Sequence, residues 1–195
     1  MMTSALLPLA DGVEELEAVT VMDILRRAGW RVVAAGLRPG PVTAAHGVRL
    51  LPDANWDDLE LAAFDVLVVP GGTRGVAALR QDARVRAAVR AFFERNQFVA
   101  AICAGPLVLQ DAGVLAGRRA TCHPAVAREL TATPRVDAAV VTDGRLVTSQ
   151  GAGTALEFAL TLVTLVNGAA QAAQLARDIA LPPAHFPRAL EGMNK

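Results

Sequence analysis

The stretch QFVAAICAGPLVL, residues 97–109, decides the fold. Phe98 to Ile102 is an uninterrupted apolar run and reads as a buried strand, and Gly105 and Pro106 open a second apolar stretch, Leu107 to Leu109, that reads as a helix. Cys103 falls on the bend between the two. Such a bend exposes the side chain, and the helix N-terminus offers unpaired N–H groups and partial positive charge that favour an ionised sulfur. The same strand–turn–helix logic builds the nucleophile elbow of serine hydrolases. A free cysteine is otherwise a small buried hydrophobe, so the surroundings of Cys103 must decide between packing and reactivity.

Outward from the bend, strand and helix signals alternate. Ser4 to Leu9 reads as a strand, and helical spacing of Leu16, Val19, Ile24 and their neighbours predicts a helix over Val13 to Ala28, ended by Gly29. Trp30 to Leu37 is a second strand, Val42 to Leu51 one or two short extended pieces around Gly47, and Asp57-Asp58-Leu59 the opening of a short helix. Phe64 to Val69 is a third buried strand, stopped by Pro70-Gly71-Gly72, and a helix is predicted from Gly75 to Asn96. Beyond Cys103 come a helix at Pro106 to Ala112, a short strand at Ala120 to His123, and two strands, Val136 to Thr142 and Arg145 to Ser149, paired across Asp143-Gly144. Helices at Thr154 to Asn167 and Ala169 to Leu181 lead into a Pro-rich, irregular end.

Continuous apolar strands alternating with helices mean a parallel sheet covered on both faces. The expectation is one doubly wound α/β domain over 1–195, with its core at about 4–168 and a C-terminal helix and tail at 169–195. Lys+Arg and Asp+Glu are both 19, so the formal charge is zero and nothing points to nucleic acid or an anionic membrane as partner. The arginines between Arg74 and Arg95 fall at helical spacings and read as one solvated helix face. No apolar run approaches the ~18–20 residues of a membrane span. The first apolar segment has no basic region before it and is interrupted by Asp11, which argues against a secretory leader. Two cysteines make no disulfide framework, and a reducing cytoplasm is the expected location.

In an open α/β sheet the sites lie beyond the C-terminal ends of the strands. The segments there are DGVEELE, PGGTRG, CAGP, CHP and QGAGT, and they supply glutamates, a cysteine and a histidine around glycines that permit close backbone approach. A carboxyl, a thiol and an imidazole on neighbouring strand ends make a reactive constellation. Helical spacing puts Glu14 and Glu17 on one face and Glu15 on another, though acidic residues in a first turn are favoured by the helix dipole in any case. His123 follows Cys122, whose side chain points to the opposite face of an extended segment and is read as packing. No CxxC or HxxxH spacing suggests a metal, no GxxxxGK a phosphate loop, and no cofactor is implied.

With these pieces in order, the chain resembles the PfpI superfamily, and more closely its branch of the Parkinsonism-associated protein deglycase (the DJ-one branch). The resemblance is carried by ADGVEELEAV, VVPGG, AAICAGP, TCHP and TSQGAGTALEFAL, in the family's order. It implies a flavodoxin-like sandwich, a doubly wound parallel sheet between helices with a nucleophile elbow and a small β-hairpin, and a homodimer. It implies further that Cys103 is the elbow cysteine, that Glu17 is the glutamate hydrogen-bonded to it, and that His123 is the site histidine. Backbone N–H groups of Gly72 and Ala104 would face an oxyanion or an oxidised sulfur. Glu14 and His46 would stand at the pocket rim, His46 where near relatives often have an arginine reaching the partner subunit's pocket.

The activity so implied is a glutathione-independent glyoxalase or deglycase, acting on methylglyoxal or glyoxal and their adducts. Redox sensing, or a stress-response holdase role through the same oxidisable cysteine, is the alternative. A cysteine peptidase ranks last, because Ala104 stands where the protease-like branch has a histidine, and Ala125 stands where amidotransferases have a glutamate.

Overall fold

The computed structural model describes residues 2–182; the Pro-rich end from 183 lies outside the described residues. Chain order is β1 (Ser4–Leu9), α1 (Glu15–Arg27), β2 (Arg31–Gly36), β3 (Val42–Thr43), β4 (Arg49–Leu50), β5 (Ala54–Asn55), β6 (Val66–Val69), α2 (Thr73–Gln81), α3 (Ala83–Glu94), β7 (Phe98–Ile102), α4 (Pro106–Asp111), β8 (Val140–Asp143), β9 (Leu146–Ser149), α5 (Ala155–Asn167) and α6 (Ala169–Asp178). Seven strands form one sheet in the order β5-β2-β1-β6-β7-β9-β8, and β3 pairs with β4 in a separate small ribbon. All neighbours in the large sheet are parallel except β8, which runs antiparallel to β9 at the edge.

The apolar runs are continuous because both sheet faces are covered. Ala5, Leu7, Val66, Val68, Ala100 and Ile102 face a core shared with α1, α5 and α6. The alternating residues Leu6, Leu67, Val69, Val99 and Ala101 face a second core shared with α2, α3 and α4. Period-two alternation thus splits each central strand between two cores. This is the α/β flavodoxin-like fold expected. At the C-terminal edge the ends of β1, β6, β7 and β9 stand side by side, with Val69 opposite Ala101 and Ile102 opposite Ser149.

Several local expectations are corrected. The long helix over Gly75 to Asn96 is two helices, because Asp82 takes an extended conformation and caps α3 by accepting the Arg84 N–H at 2.9 Å. The arginine periodicity hid that break. The strand at Ala120 to His123 shrinks to one bridge, Ala120 to Arg135. Bonds to other groups replace its ladder, from the Thr121 N–H to Thr148 Oγ1 at 2.9 Å and from the His123 N–H to the Cys103 carbonyl at 2.8 Å.

The hairpin also differs by one residue. Asp143 pairs with Leu146, so the two central residues are Gly144 and Arg145 rather than a turn centred on Asp143-Gly144. Gly144 has φ +60° at the first central position, the placement a type II′ turn asks of glycine. Residues 136–139 are not strand, and the Ala139 carbonyl instead takes bonds from the Gln150 N–H and Ser149 Oγ.

Candidate active site

Cys103 stands at the end of the central strand β7 with φ +64°, a left-handed conformation that costs a non-glycine residue of order 1–3 kcal/mol. Neighbours impose it: the Cys103 N–H donates to the Ser149 carbonyl at 2.9 Å and its carbonyl accepts the His123 N–H at 2.8 Å. Immediately after it the chain passes so close to the end of β6 that a Cβ on Gly105 would stand 2.6 Å from the Val69 carbonyl oxygen. The thiol is half-buried and turned to the C-terminal edge of the sheet.

The glutamate cluster separates cleanly. Glu14 caps α1 from outside, so it does not share a helical face with Glu17. Glu15 points outward, and its carboxylate accepts the His46 N–H at 2.9 Å and lies 3.2 Å from His46 Nδ1. Glu17 alone is fully buried. Its Oε2 accepts the Gly71 N–H at 2.8 Å, while Oε1 is buried with no hydrogen-bond partner of its own.

The glycine pair after β6 admits these groups. A Cβ on Gly71 would stand 2.5 Å from both Cys103 Cβ and Glu17 Oε2, and 3.0 Å from Cys103 Sγ. Gly72 has φ +92°, and a Cβ there would meet the Gly12 carbonyl oxygen at 2.2 Å. Gly71 was not singled out in the sequence; the doubled glycine at a strand end was its signal.

Burial pushes the Glu17 carboxyl up to about 7, against the pull of the Gly71 N–H and the Cys103 side chain. Burial first, and then the Glu17 charge, push the Cys103 thiol up to about 12, while the backbone N–H groups of Gly72 and Ala104 bond to the sulfur and pull it down. The helix start draws Cys103 toward ionisation, as its place in the sequence implies, but other influences outweigh it. The two amides are in place, but a buried carboxylate and scant solvent oppose them, so the thiol keeps its proton while Glu17 is ionised. Carboxyl and thiol titrate as a pair.

His123 is exposed, and its Nδ1 accepts the Ala125 N–H at 3.1 Å. A methyl at Gly151 would stand 3.1 Å from His123 Cδ2 and 4.0 Å from both Cys103 Sγ and Glu17 Oε1, so the three predicted side chains converge on one point. Cys122 is fully buried in the core beneath α2 to α4, as read from its alternation with His123.

A cleft of about 390 Å³ opens over the sulfur, walled by Gly72, Ala104, His123, Glu14, His46 and Arg74 among others. His46 comes to the rim because the β3–β4 ribbon is tied to the loop after β1 by the Gly12 N–H to Thr43 carbonyl bond at 2.7 Å and the Ala45 N–H to Val13 carbonyl bond at 2.8 Å. There its imidazole is held by Glu15 and, at 3.6 Å, by Glu14. Among the described residues, Glu14, Glu15 and His46 are also the grouping whose donor atoms, all within 4.8 Å, could hold a metal ion. Linear ligand spacing could not show it, because the residues come from two distant segments; their mutual contacts account for the grouping without an ion. Among the described residues no helix is long and apolar enough to cross a membrane.

Residues 3–165 match the DJ-1/PfpI family. The chain is 39% identical over 174 residues to Protein DJ-1 homolog B of Arabidopsis thaliana, covering 88% of this chain and 40% of that longer protein. It is 35% identical over 178 residues to glutathione-independent glyoxalase DJR-1.2 of Caenorhabditis elegans, covering 90% of this chain and 94% of the relative. Among solved structures, that of oxidized Toxoplasma gondii DJ-1 superposes with a TM-score of 0.87 at 33% identity, over 91% of this chain and 98% of that one.

Proposed function

The chain belongs to the DJ-1/PfpI family, and on that premise we propose that it is a cysteine-dependent glyoxalase of the glutathione-independent kind, acting on methylglyoxal or glyoxal and their adducts. The observation that carries the reading is the burial of Glu17 against Cys103 beneath a small open cleft. With Glu17 protonated, its charge no longer opposes ionisation of the sulfur; burial still does, and the Gly72 and Ala104 amides draw the sulfur toward the thiolate.

The thiolate adds to the aldehyde carbon, forming a C–S bond, and the new oxyanion is held by the same two amides. The Glu17 proton passes to that oxygen, giving a hemithioacetal and leaving Glu17 as a carboxylate. It then removes the C–H proton from the former aldehyde carbon, the electron pair moves to the adjacent carbonyl oxygen, and an enediolate forms. Return of that proton to the neighbouring carbon, with the hydroxyl proton of the sulfur-bearing carbon passing to the adjacent oxygen, gives an α-hydroxy thioester. Water cleaves it to lactate or glycolate and regenerates the thiol. One carbon is oxidised and its neighbour reduced, so no cofactor enters.

His123 has a narrower part than a shared proton relay. Because Nδ1 accepts the Ala125 N–H, the neutral ring carries its proton on Nε2 and serves as a donor to the substrate's second carbonyl oxygen, leaving Glu17 as the base. Exposed Leu16 and Val19 on α1, with Leu156 on the adjacent α5, support a homodimer through this face. Both cysteines are free thiols, which suits a reducing, cytoplasmic setting.

The test is lactate formation from methylglyoxal by the purified protein, with Cys103→Ala beside it. Lactate from the wild type and none from the variant is the expected result, and equal rates would remove the mechanism. The second reading, oxidation of Cys103 to the sulfinic acid by two equivalents of peroxide, is favoured by the same amides, whose N–H groups would bond to sulfinate oxygens. A stable mass gain of two oxygens at Cys103 together with negligible lactate formation would select it.

A further inference from the structure

Arg74 stands on the wall of the Cys103 cleft, and among the described residues its guanidinium has no hydrogen bond, ion pair or ring contact. The next arginines along the chain are engaged. Arg80 bonds to Asp111 at 2.6 Å and Glu129 at 3.2 Å, Arg84 bonds to Asp82 at 2.6 Å and also to Asp57, and Arg86 bonds to the Arg80 carbonyl. What reads in sequence as one solvated arginine face is thus divided: Arg80 at the end of α2 and Arg84 on α3 are in ion pairs, while Arg74 at the start of α2 stands at the cleft.

Its position is fixed at the root. A Cβ on Gly12 would stand 2.4 Å from Arg74 Cβ, so the side chain leaves α2 directly over the loop that follows β1. The N-terminus of α2 has no side-chain cap, so no carboxylate neutralises Arg74 from its own turn. Of the acidic groups near the cleft, Glu14 and Glu15 are engaged by the His46 ring at 3.6 Å and 3.2 Å. Arg74 also lines the neighbouring groove of about 680 Å³, together with Arg38 and with Asp11 and Asp82, of which Asp11 accepts the Thr43 N–H and Asp82 is paired with Arg84. A chain extending from the sulfur into that groove therefore passes an unneutralised cation.

We infer that Arg74 selects α-oxoaldehydes bearing an anionic group, a carboxylate or a phosphate, a few atoms beyond the reacting carbonyls. The inference rests on the glyoxalase reading for its reaction and on the cleft alone for its charge preference. An unpaired guanidinium beside a cleft attracts and orients an oxyanion. The anionic group takes no part in the bond changes: R–CO–CHO and water still give R–CHOH–COOH.

The decisive experiment compares alkylation of Cys103 by iodoacetate and by its neutral analogue iodoacetamide. Both are attacked by the same thiolate with loss of iodide, so any change in thiol ionisation cancels in the ratio of rates. Arg74→Ala should lower the iodoacetate-to-iodoacetamide ratio about fivefold, the factor a unit charge exerts at contact distance in a watery cleft, with R74E lowering it further and R74K retaining most of it. An unchanged ratio in R74A and R74E overturns the inference, whatever the turnover. The second arm measures kcat/KM for 4,5-dioxopentanoate and for 3-phosphooxy-2-oxopropanal, each relative to methylglyoxal. The ratio that falls more in R74A identifies carboxylate or phosphate as the group selected, and two unmoved ratios count against selection. If no substrate is turned over by the wild type, the glyoxalase reading fails while the alkylation ratio still decides the role of Arg74.

Discussion

Glu17→Gln should make the protein more stable and less active, and the gain should depend on pH in a defined way. In the folded chain the carboxyl is pushed from 4.5 up to about 7 by burial. Below pH 4.5 folded and unfolded chains both hold the proton, and the group adds nothing to the pH slope. Between 4.5 and 7 the unfolded chain has released its proton while the folded one retains it, so stability falls as pH rises. Above 7 the buried carboxylate is ionised in both states and the loss is complete. A shift of this size corresponds to about 3 kcal/mol. Glutamine keeps the shape and can still accept the Gly71 N–H, but carries no charge at any pH.

Urea unfolding of both proteins from pH 4.5 to 7.5 measures the difference, and all other titrations cancel to first order in the comparison. That range stays below the region where the thiol ionises in the unfolded chain. The stability gap should open in favour of the variant across this window, toward about 3 kcal/mol less any cost of orienting the new amide. Parallel stability curves would refute the reasoning, because they would mean that Glu17 is not held in a site that penalises its charge. Lactate formation should be lost in the same variant, since glutamine can neither give nor take the proton.

Two further substitutions test the backbone of the site. Cys103→Gly should be about 1 kcal/mol more stable than Cys103→Ala, because only glycine is at ease at φ +64°; both should be inactive, and a less stable glycine variant would show that the bend is not strained. Gly151→Ala places a methyl 3.1 Å from His123 Cδ2 on an extended backbone that any residue adopts. It should displace the ring and cut kcat while changing stability by less than about 1 kcal/mol. An unchanged kcat with shifted His123 NMR signals would remove His123 from the chemistry.

How much was legible varies from residue to residue. The buried strand Phe98–Ile102 was plain, because a strand covered on both faces must be apolar throughout. The bend at Cys103 followed from Gly105 and Pro106. The break at Asp82 was not, since a periodic arginine pattern continues through it and only the cap distinguishes it. The strand at Ala120 to His123 failed because its backbone groups bond instead to Thr148 and to Cys103. Glu17 was separated from Glu14 and Glu15 by resemblance to the family; spacing alone left it on the same face as Glu14, which in fact caps the helix from outside.

Residue order carries the alternation of elements, and with it the sheet edge to which Cys103, His123 and the glutamate cluster are brought. Local patterning suffices there, because periodicity, glycine and proline act within a few residues. Tertiary structure alone decided the charges. It set which glutamate is cut off from water, that burial and the Glu17 charge together hold the thiol protonated, and that Arg74 has no partner among the described residues. Those are properties of distance and solvent access between segments far apart in the chain, and residue order does not encode them locally.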